Sequence, residues 1–231
     1  MPLKAVAFDV DGTLYPNAPM YLRSLVSMLP HWRLFKALEK ARIGLRKSPD
    51  LSADFHRVQG AAVGALLGIP AEEAQARIEA VVYTQWYGLF TSLRPYRGLA
   101  ACLERFRGLG LKLGVLSDFP IRGRLDDLGL EQWDCAFSTE ETGNLKPNPQ
   151  PFLLLAERLG VSPGDVLYVG NSYRYDVLGA HAAGMPSAHL TRKRVPGSPA
   201  ALEFRRYAEL EDYVLRRAAD SGYNSGGRVS H

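Results

Sequence analysis

Two periodicities divide the chain. Short apolar runs recur at 4–8 (KAVAF), 112–116 (KLGVL), 135–137 (CAF), 166–169 (VLYV) and 187–190 (SAHL). A short continuous apolar run fits a strand covered on both faces. Between the later runs the spacing changes. Phe152, Leu155, Ala156 and Leu159 follow i, i+3, i+4, i+7, the stripe of an amphipathic helix. Strands and helices thus alternate after about residue 95, which predicts a parallel sheet with helices on both faces.

The stretch 17–92 contains no strand pattern. Leu22, Leu25, Val26 and Leu29 make one helical stripe. Leu34, Leu38, Ala41 and Leu45 make a second, entered through Pro30. Phe55, Val58, Ala62 and Leu66 make a third. Ala74, Ile78, Val81, Val82, Trp86 and Leu89 make a fourth, entered through Pro70. Proline suits such helix starts. The pattern predicts an all-helical insert between the first and second strands. Its linkers fall near Tyr15–Pro19 and Leu93–Pro95. The expected division is a core of 1–16 and 93–218, an insert of 17–92, and a small, polar, disordered tail of 219–231.

Composition narrows this picture only slightly. The 231 residues are 46% hydrophobic and 23% charged, ordinary values for a globular protein. No apolar run is long enough to span a bilayer, and no signal-peptide layout opens the chain. The net charge of +4 suits an anionic ligand without marking a nucleic-acid surface. RKR at 192–194 is too short to change that. Cys102 and Cys135 lack ligand-spaced partners and read as free thiols in a reducing cytoplasm.

The candidate chemistry sits at strand ends. In a parallel α/β sheet, ligands bind beyond the carboxyl ends of the strands. Asp9 and Asp11 follow the first strand, Ser117 and Asp118 the second, and Asn171 the fourth. Lys146 precedes the helix that leads to that fourth strand, and Asp176 follows it closely. Two carboxylates at a buried strand end are costly and need a compensating cation. Each of the other residues has a plainer reading alone. Asp176 would cap a helix, Ser117 and Asp118 would form a turn, and Lys146 would be a surface lysine.

DVDGT at 9–13, LSD at 116–118, Lys146 in KPNPQPF and GNSYRYD at 170–176 together resemble the four motifs of the haloacid dehalogenase-like hydrolase superfamily, in order. The resemblance covers nearly the whole chain. It implies a Rossmann-like parallel sheet of order 3-2-1-4-5, with the helical insert as a cap. It also implies a Mg²⁺-dependent phosphatase acting on a small phosphorylated metabolite. Asp9 would be the nucleophile that forms an aspartyl-phosphate. Asp11 would protonate the leaving group, then take a proton from water. Ser117, Asp118 and Lys146 would hold the phosphate. Asp9, the Asp11 carbonyl, Asn171 and Asp176 would hold the metal. The fourth motif commonly begins with an acid, and Asn171 departs from that.

Rival expectations are a phosphomutase, a 2-haloacid dehalogenase and a catalytically silent binding module. Dehalogenation needs no acid two residues after its nucleophile and no Mg²⁺, so Asp11 speaks for phosphoryl transfer. Arg33, Lys36, Lys40, Arg42, Arg46 and Lys47 attract an anion on one reading and form a solvated helix face on the other, which is favoured. Trp32, Tyr83, Trp86 and Tyr87 either line a pocket or pack the insert's own core. His181 reads as structural or exposed.

Overall fold

The computed structural model describes residues 3–17, 28–47, 54–86, 88, 93–121 and 123–222. Five of its strands lie where the apolar runs place them: β1 (Ala5–Phe8), β2 (Lys112–Ser117), β3 (Cys135–Ser138), β4 (Val166–Gly170) and β5 (Ser187–Leu190). The sheet order is β3-β2-β1-β4-β5-β6, and every pairing is parallel. The expected order 3-2-1-4-5 is present, extended by an edge strand, β6 (Leu202–Phe204). Three residues after a proline-containing loop carry too short a pattern to announce a strand.

Alternation along each strand assigns its faces. Val6 and Phe8 join Leu113, Val115, Leu167 and Val169 in one core layer. There they meet α4 (Leu99–Gly108) and α8 (Tyr207–Gly222) through Leu103, Phe106, Leu210 and Val214. Ala5 and Ala7 face the other way with Val166 and Tyr168, under α6 (Gln150–Leu159) and α7 (Leu178–Ala182). Small residues let α6 sit close on that side: a Cβ on Gly114 would lie 3.0 Å from Leu155. α5 (Arg124–Asp127) is a single turn after β2. α8 runs to Gly222, four residues into the expected tail; 223–231 lie outside the described residues.

Between β1 and β2 the described residues form helices and no strand: α1 (Trp32–Leu45), α2 (Phe55–Leu67) and α3 (Ala71–Arg77), the last continuing as a wider π-helical stretch over Ile78–Trp86. α1 buries Leu34, Leu38, Ala41 and Leu45 as the stripe predicts. α2 follows its predicted stripe only in part. It buries Phe55, Gln59, Gly60, Val63 and Gly64 and leaves Leu66 exposed. The first predicted stripe before Leu29, together with Tyr87 and Leu89, falls outside the described residues. No helix among the described residues is long and apolar enough to cross a membrane.

Candidate active site

The carboxyl edge of β1 and β4 brings the predicted residues together. β1 delivers Asp9, whose backbone N–H donates to the Val169 carbonyl (2.9 Å) and so ties it to β4. The chain then turns back, with the Thr13 and Leu14 N–H groups donating to the Val10 carbonyl. Gly12 holds φ at +83°, and a Cβ there would lie 2.1 Å from the Asn171 amide and 2.4 Å from that of Asn17. Both the dihedral and the space demand glycine. The Thr13 hydroxyl donates to Asp9 Oδ2 (2.9 Å).

Lys146 is the hub. Its buried ammonium donates to Asp9 Oδ1 (2.7 Å), Asp176 Oδ1 (2.8 Å), the Tyr168 hydroxyl (3.2 Å) and the Leu116 carbonyl (3.3 Å). Burial opposes its charge, yet Asp176 and Asp9 hold its pKa well above the usual lysine range. The surface-lysine reading is thereby corrected. Asp9 behaves inversely: burial pushes its carboxyl up to about 7, Lys146 offsets part of that, and Asp176 and Asp11 add to it. Three carboxylates thus crowd a site whose nearest ammonium is shared by two of them.

Asp176 lies in the helical turn after β4. Its Oδ2 accepts from the Ser172 N–H (2.9 Å). The helix cap is Ser172, whose hydroxyl oxygen accepts from the Tyr175 N–H. The reading of Asp176 as an N-cap is therefore corrected; it points inward to Lys146. Gly170 makes room, since a Cβ there would lie 2.3 Å from Asp176. Asn171 reaches Gly12 with its amide, and its carbonyl lies 3.2 Å from His189 Nε2. His181 is exposed.

Ser117 ends β2 fully buried, and its hydroxyl oxygen accepts from the Phe119 N–H (3.2 Å). Asp118 stands apart from the expectation. One carboxylate oxygen pairs with Arg46 (2.6 Å), and the other accepts from Thr139 (2.9 Å) and the Lys146 N–H (3.1 Å). Burial opposes its charge, but Arg46, Lys146 and Arg42 outweigh that and hold its pKa below the usual carboxylate range. An ionised carboxylate so engaged repels phosphate; it orders the loop instead.

Two partners of Asp11 were not anticipated, and two arginines depart from the favoured reading. Asp11 turns its Oδ1 toward the Tyr15 hydroxyl and the Arg124 guanidinium, both of which donate to it. Arg124 also donates to the Tyr15 hydroxyl (2.6 Å). Arg42 and Arg46 leave the predicted solvated face and enter the core. Arg42 pairs with Glu140 (2.5 Å), bonds the Asp118 carbonyl and stacks 4.1 Å from the Phe119 ring. Arg46 bonds the Lys146 carbonyl and stacks 4.1 Å from Tyr175. Tyr83 packs within this network, its hydroxyl donating to Glu140 (2.7 Å). The signal for Arg42 was present: it interrupts the apolar stripe of Leu38, Ala41 and Leu45.

Known proteins resemble this chain in sequence and fold. A family model described as haloacid dehalogenase-like hydrolase matches residues 3–184. The phosphoglycolate phosphatase of Escherichia coli (strain K12) is 32% identical over 209 residues, covering 82% of this chain and 81% of that protein. The Salmonella typhimurium phosphoglycolate phosphatase matches to the same extent. Among solved structures, a HAD phosphatase from Thermococcus onnurineus has a TM-score of 0.63 at 25% identity, covering 92% of this chain and 98% of that one. An L-2-haloacid dehalogenase superposes with a TM-score of 0.67 at 20% identity, covering 93% and 100%. At that identity the likeness concerns the fold alone.

Proposed function

The chain belongs to the haloacid dehalogenase-like hydrolase family, and within it we propose a Mg²⁺-dependent phosphatase that cleaves a small phosphomonoester through an aspartyl-phosphate. The observation that carries this reading is the pair Asp9 and Asp11, set beside the ammonium that Lys146 shares between Asp9 and Asp176. A dehalogenase has no use for the second carboxylate.

In the proposed reaction a carboxylate oxygen of Asp9 attacks phosphorus, and the bond to the leaving alcohol breaks. Asp11 gives its proton to that alcohol. A water then attacks the phosphoaspartate, Asp11 takes its proton, and the bond to Asp9 breaks to release phosphate. Lys146 neutralises the transferring oxygens. The Ser117 hydroxyl, whose oxygen already accepts from Phe119, donates its proton to one of them.

The residues present fit a magnesium ion. The donors are all oxygens: Asp9, the Asp11 carbonyl, Asn171 and Asp176. Asn17 Oδ1 beside Gly12 is buried without a hydrogen-bond partner. Burial first, and Asp176 and Asp11 after it, oppose the Asp9 charge, and a bound cation would offset both effects. Among the described residues no ready cage of His, Cys, Asp or Glu exists, as suits an ion that keeps waters and takes one or two carboxylates plus substrate phosphate. When bound, the ion supplies charge neutralisation at the phosphoryl group.

Residues 17–92 are proposed as the cap and 1–16 with 93–218 as the core. Cys102 and Cys135 are both free thiols, which supports a cytoplasmic location. The test is phosphate release from a phosphomonoester panel with Mg²⁺. Activity should vanish with a chelator and in Asp9→Asn, while the melting curve persists. Near-wild-type turnover by Asp9→Asn would remove the assignment.

A further inference from the structure

A cavity of about 680 Å³ opens between α1 and the catalytic edge. Its walls include Leu29, Trp32, Phe35 and Ile43; Phe119 and Tyr175 reach it from the core. Leu29 is 64% exposed, Trp32 53% and Ile43 43%, so three of the seven exposed large hydrophobics among the described residues gather at this one place. Such clustering marks a binding surface rather than scattered surface apolarity. The cavity lies beside the motif loops: the Phe119 N–H donates to the Ser117 hydroxyl oxygen, and Arg46, also on its wall, bonds the Lys146 carbonyl.

Arg42 and Arg46 also line it. Their Nη groups are committed to Glu140, Asp118 and the Lys146 carbonyl. The Nε atom of each is buried and has no hydrogen-bond partner. Arg42 is 4% exposed, so this donor cannot turn to bulk water.

We propose that this cavity takes the leaving group of a phosphomonoester whose alcohol carries a large apolar body. The proposal rests on the phosphatase reading and names its substrate class. Glycolate, the two-carbon alcohol in the name of the curated relatives, would leave most of the space empty. A pocket of this size and lining suits a body of drug-like dimensions, oriented by a few polar groups. Binding energy gained there, remote from phosphorus, can be spent on the transition state.

The test is a series of alkyl phosphates from ethyl to hexyl, whose leaving groups differ little in acidity. Each methylene buried should raise kcat/KM by about three- to four-fold until the cavity is filled. The wild type should therefore prefer hexyl over ethyl phosphate by at least ~10-fold. Trp32→Ala and Ile43→Ala should each flatten that ratio several-fold. Leu153→Ala, on an exposed face of α6, should leave the ratio unchanged. A flat or falling series in the wild type overturns the proposal, as does equal flattening by Leu153→Ala. Calorimetric binding of the same esters to Asp9→Asn separates the two readings. If no ester is turned over but hexyl phosphate binds more tightly than ethyl phosphate, the phosphatase reading fails and the cavity proposal stands. Equal binding of the two removes the cavity proposal whatever the turnover.

Discussion

Asp11 illustrates what single residues do here. In the proposed reaction its carboxylate presents a proton to an alkoxide and later retrieves one from water. Arg124 and Tyr15 both donate to its Oδ1 and fix its direction. Neither touches the reacting atoms, so both are positioning residues. A positioned acid supplies about 10²–10⁴ in rate, and a poorly aimed one forfeits part of that. Arg124→Gln should cost about 10–100-fold in kcat on ethyl phosphate, whose alkoxide needs protonation. On p-nitrophenyl phosphate, whose leaving group departs unaided, the loss should be only a few-fold. Steady-state kinetics on both esters check this, and equal losses would show a general structural defect instead. Tyr15→Phe should repeat the pattern more weakly, because Arg124 still holds the carboxylate. Asp9, Asp11 and Lys146 were legible as motif residues. Arg124 was not, because an arginine in a turn such as FPIRGRLDD looks the same whether it meets water or a carboxylate 113 residues away.

Among the elements, five of the six strands were legible, and so was the helix α2, but not the whole of the face it buries. Each apolar run placed its strand because a strand buried on both faces admits no polar interruption. The stripe of large residues covers only part of the face that α2 buries: Phe55 is buried, Val58 and Ala62 are half-buried, and Leu66 is exposed. Gly60 and Gly64 choose that face. A Cβ on Gly64 would lie 2.7 Å from the Ile69 carbonyl, and one on Gly60 would lie 2.7 Å from the Ala71 carbonyl. The helix therefore packs backbone to backbone against the start of α3, a contact that hydrophobic counting does not see. Gly64→Ala should destabilise the protein by about 1–3 kcal/mol, since backbone must shift to admit the methyl. Gly44, exposed in α1 with nothing within 4 Å of its Cβ position, is the control. Gly44→Ala should stabilise by up to about 1 kcal/mol through helix propensity. Thermal melts of the two variants should move in opposite directions. A fall in both would mean that α1 tolerates no change at its end, and a rise in both would remove the close-packing account of α2.

At the scale of the molecule, the question is how the helical layer is held to the sheet. Much of the contact is apolar: Leu34, Leu38, Val63, Ile78 and Val82 from the helices belong to the same cluster as Val10, Leu14 and Leu93, and Leu45 and Phe55 cluster with Leu145. The rest is a buried polar network. Arg42 pairs with Glu140, Gln59 accepts from Arg42 and donates to Tyr83, and Tyr83 donates to the same Glu140 oxygen. Glu140 belongs to the turn after β3, and the other three belong to the helical layer. Burying such a pair costs desolvation that its attraction barely repays, so it fixes register more than it adds stability. The second Glu140 oxygen has no hydrogen-bond partner, which lowers the return further. On the proposed reading of the helices as a cap, both charges would regain water as the layers part to admit substrate. Removing one partner is different. Arg42→Met takes the guanidinium from the buried Glu140 carboxylate and leaves it the Tyr83 hydroxyl and the exposed His56 ring 3.9 Å away, at a cost of about 3 kcal/mol. That cost is avoided as soon as the layers separate, so the variant should open there first. Amide exchange in α1, α2 and α3 should accelerate, while β1, β2 and β4 keep their protection. Arg42→Met with Glu140→Gln removes both charges and should recover much of the lost protection. Uniform acceleration across helices and sheet in the single variant would show that the pair supports folding of the whole chain and that the two layers do not part as units.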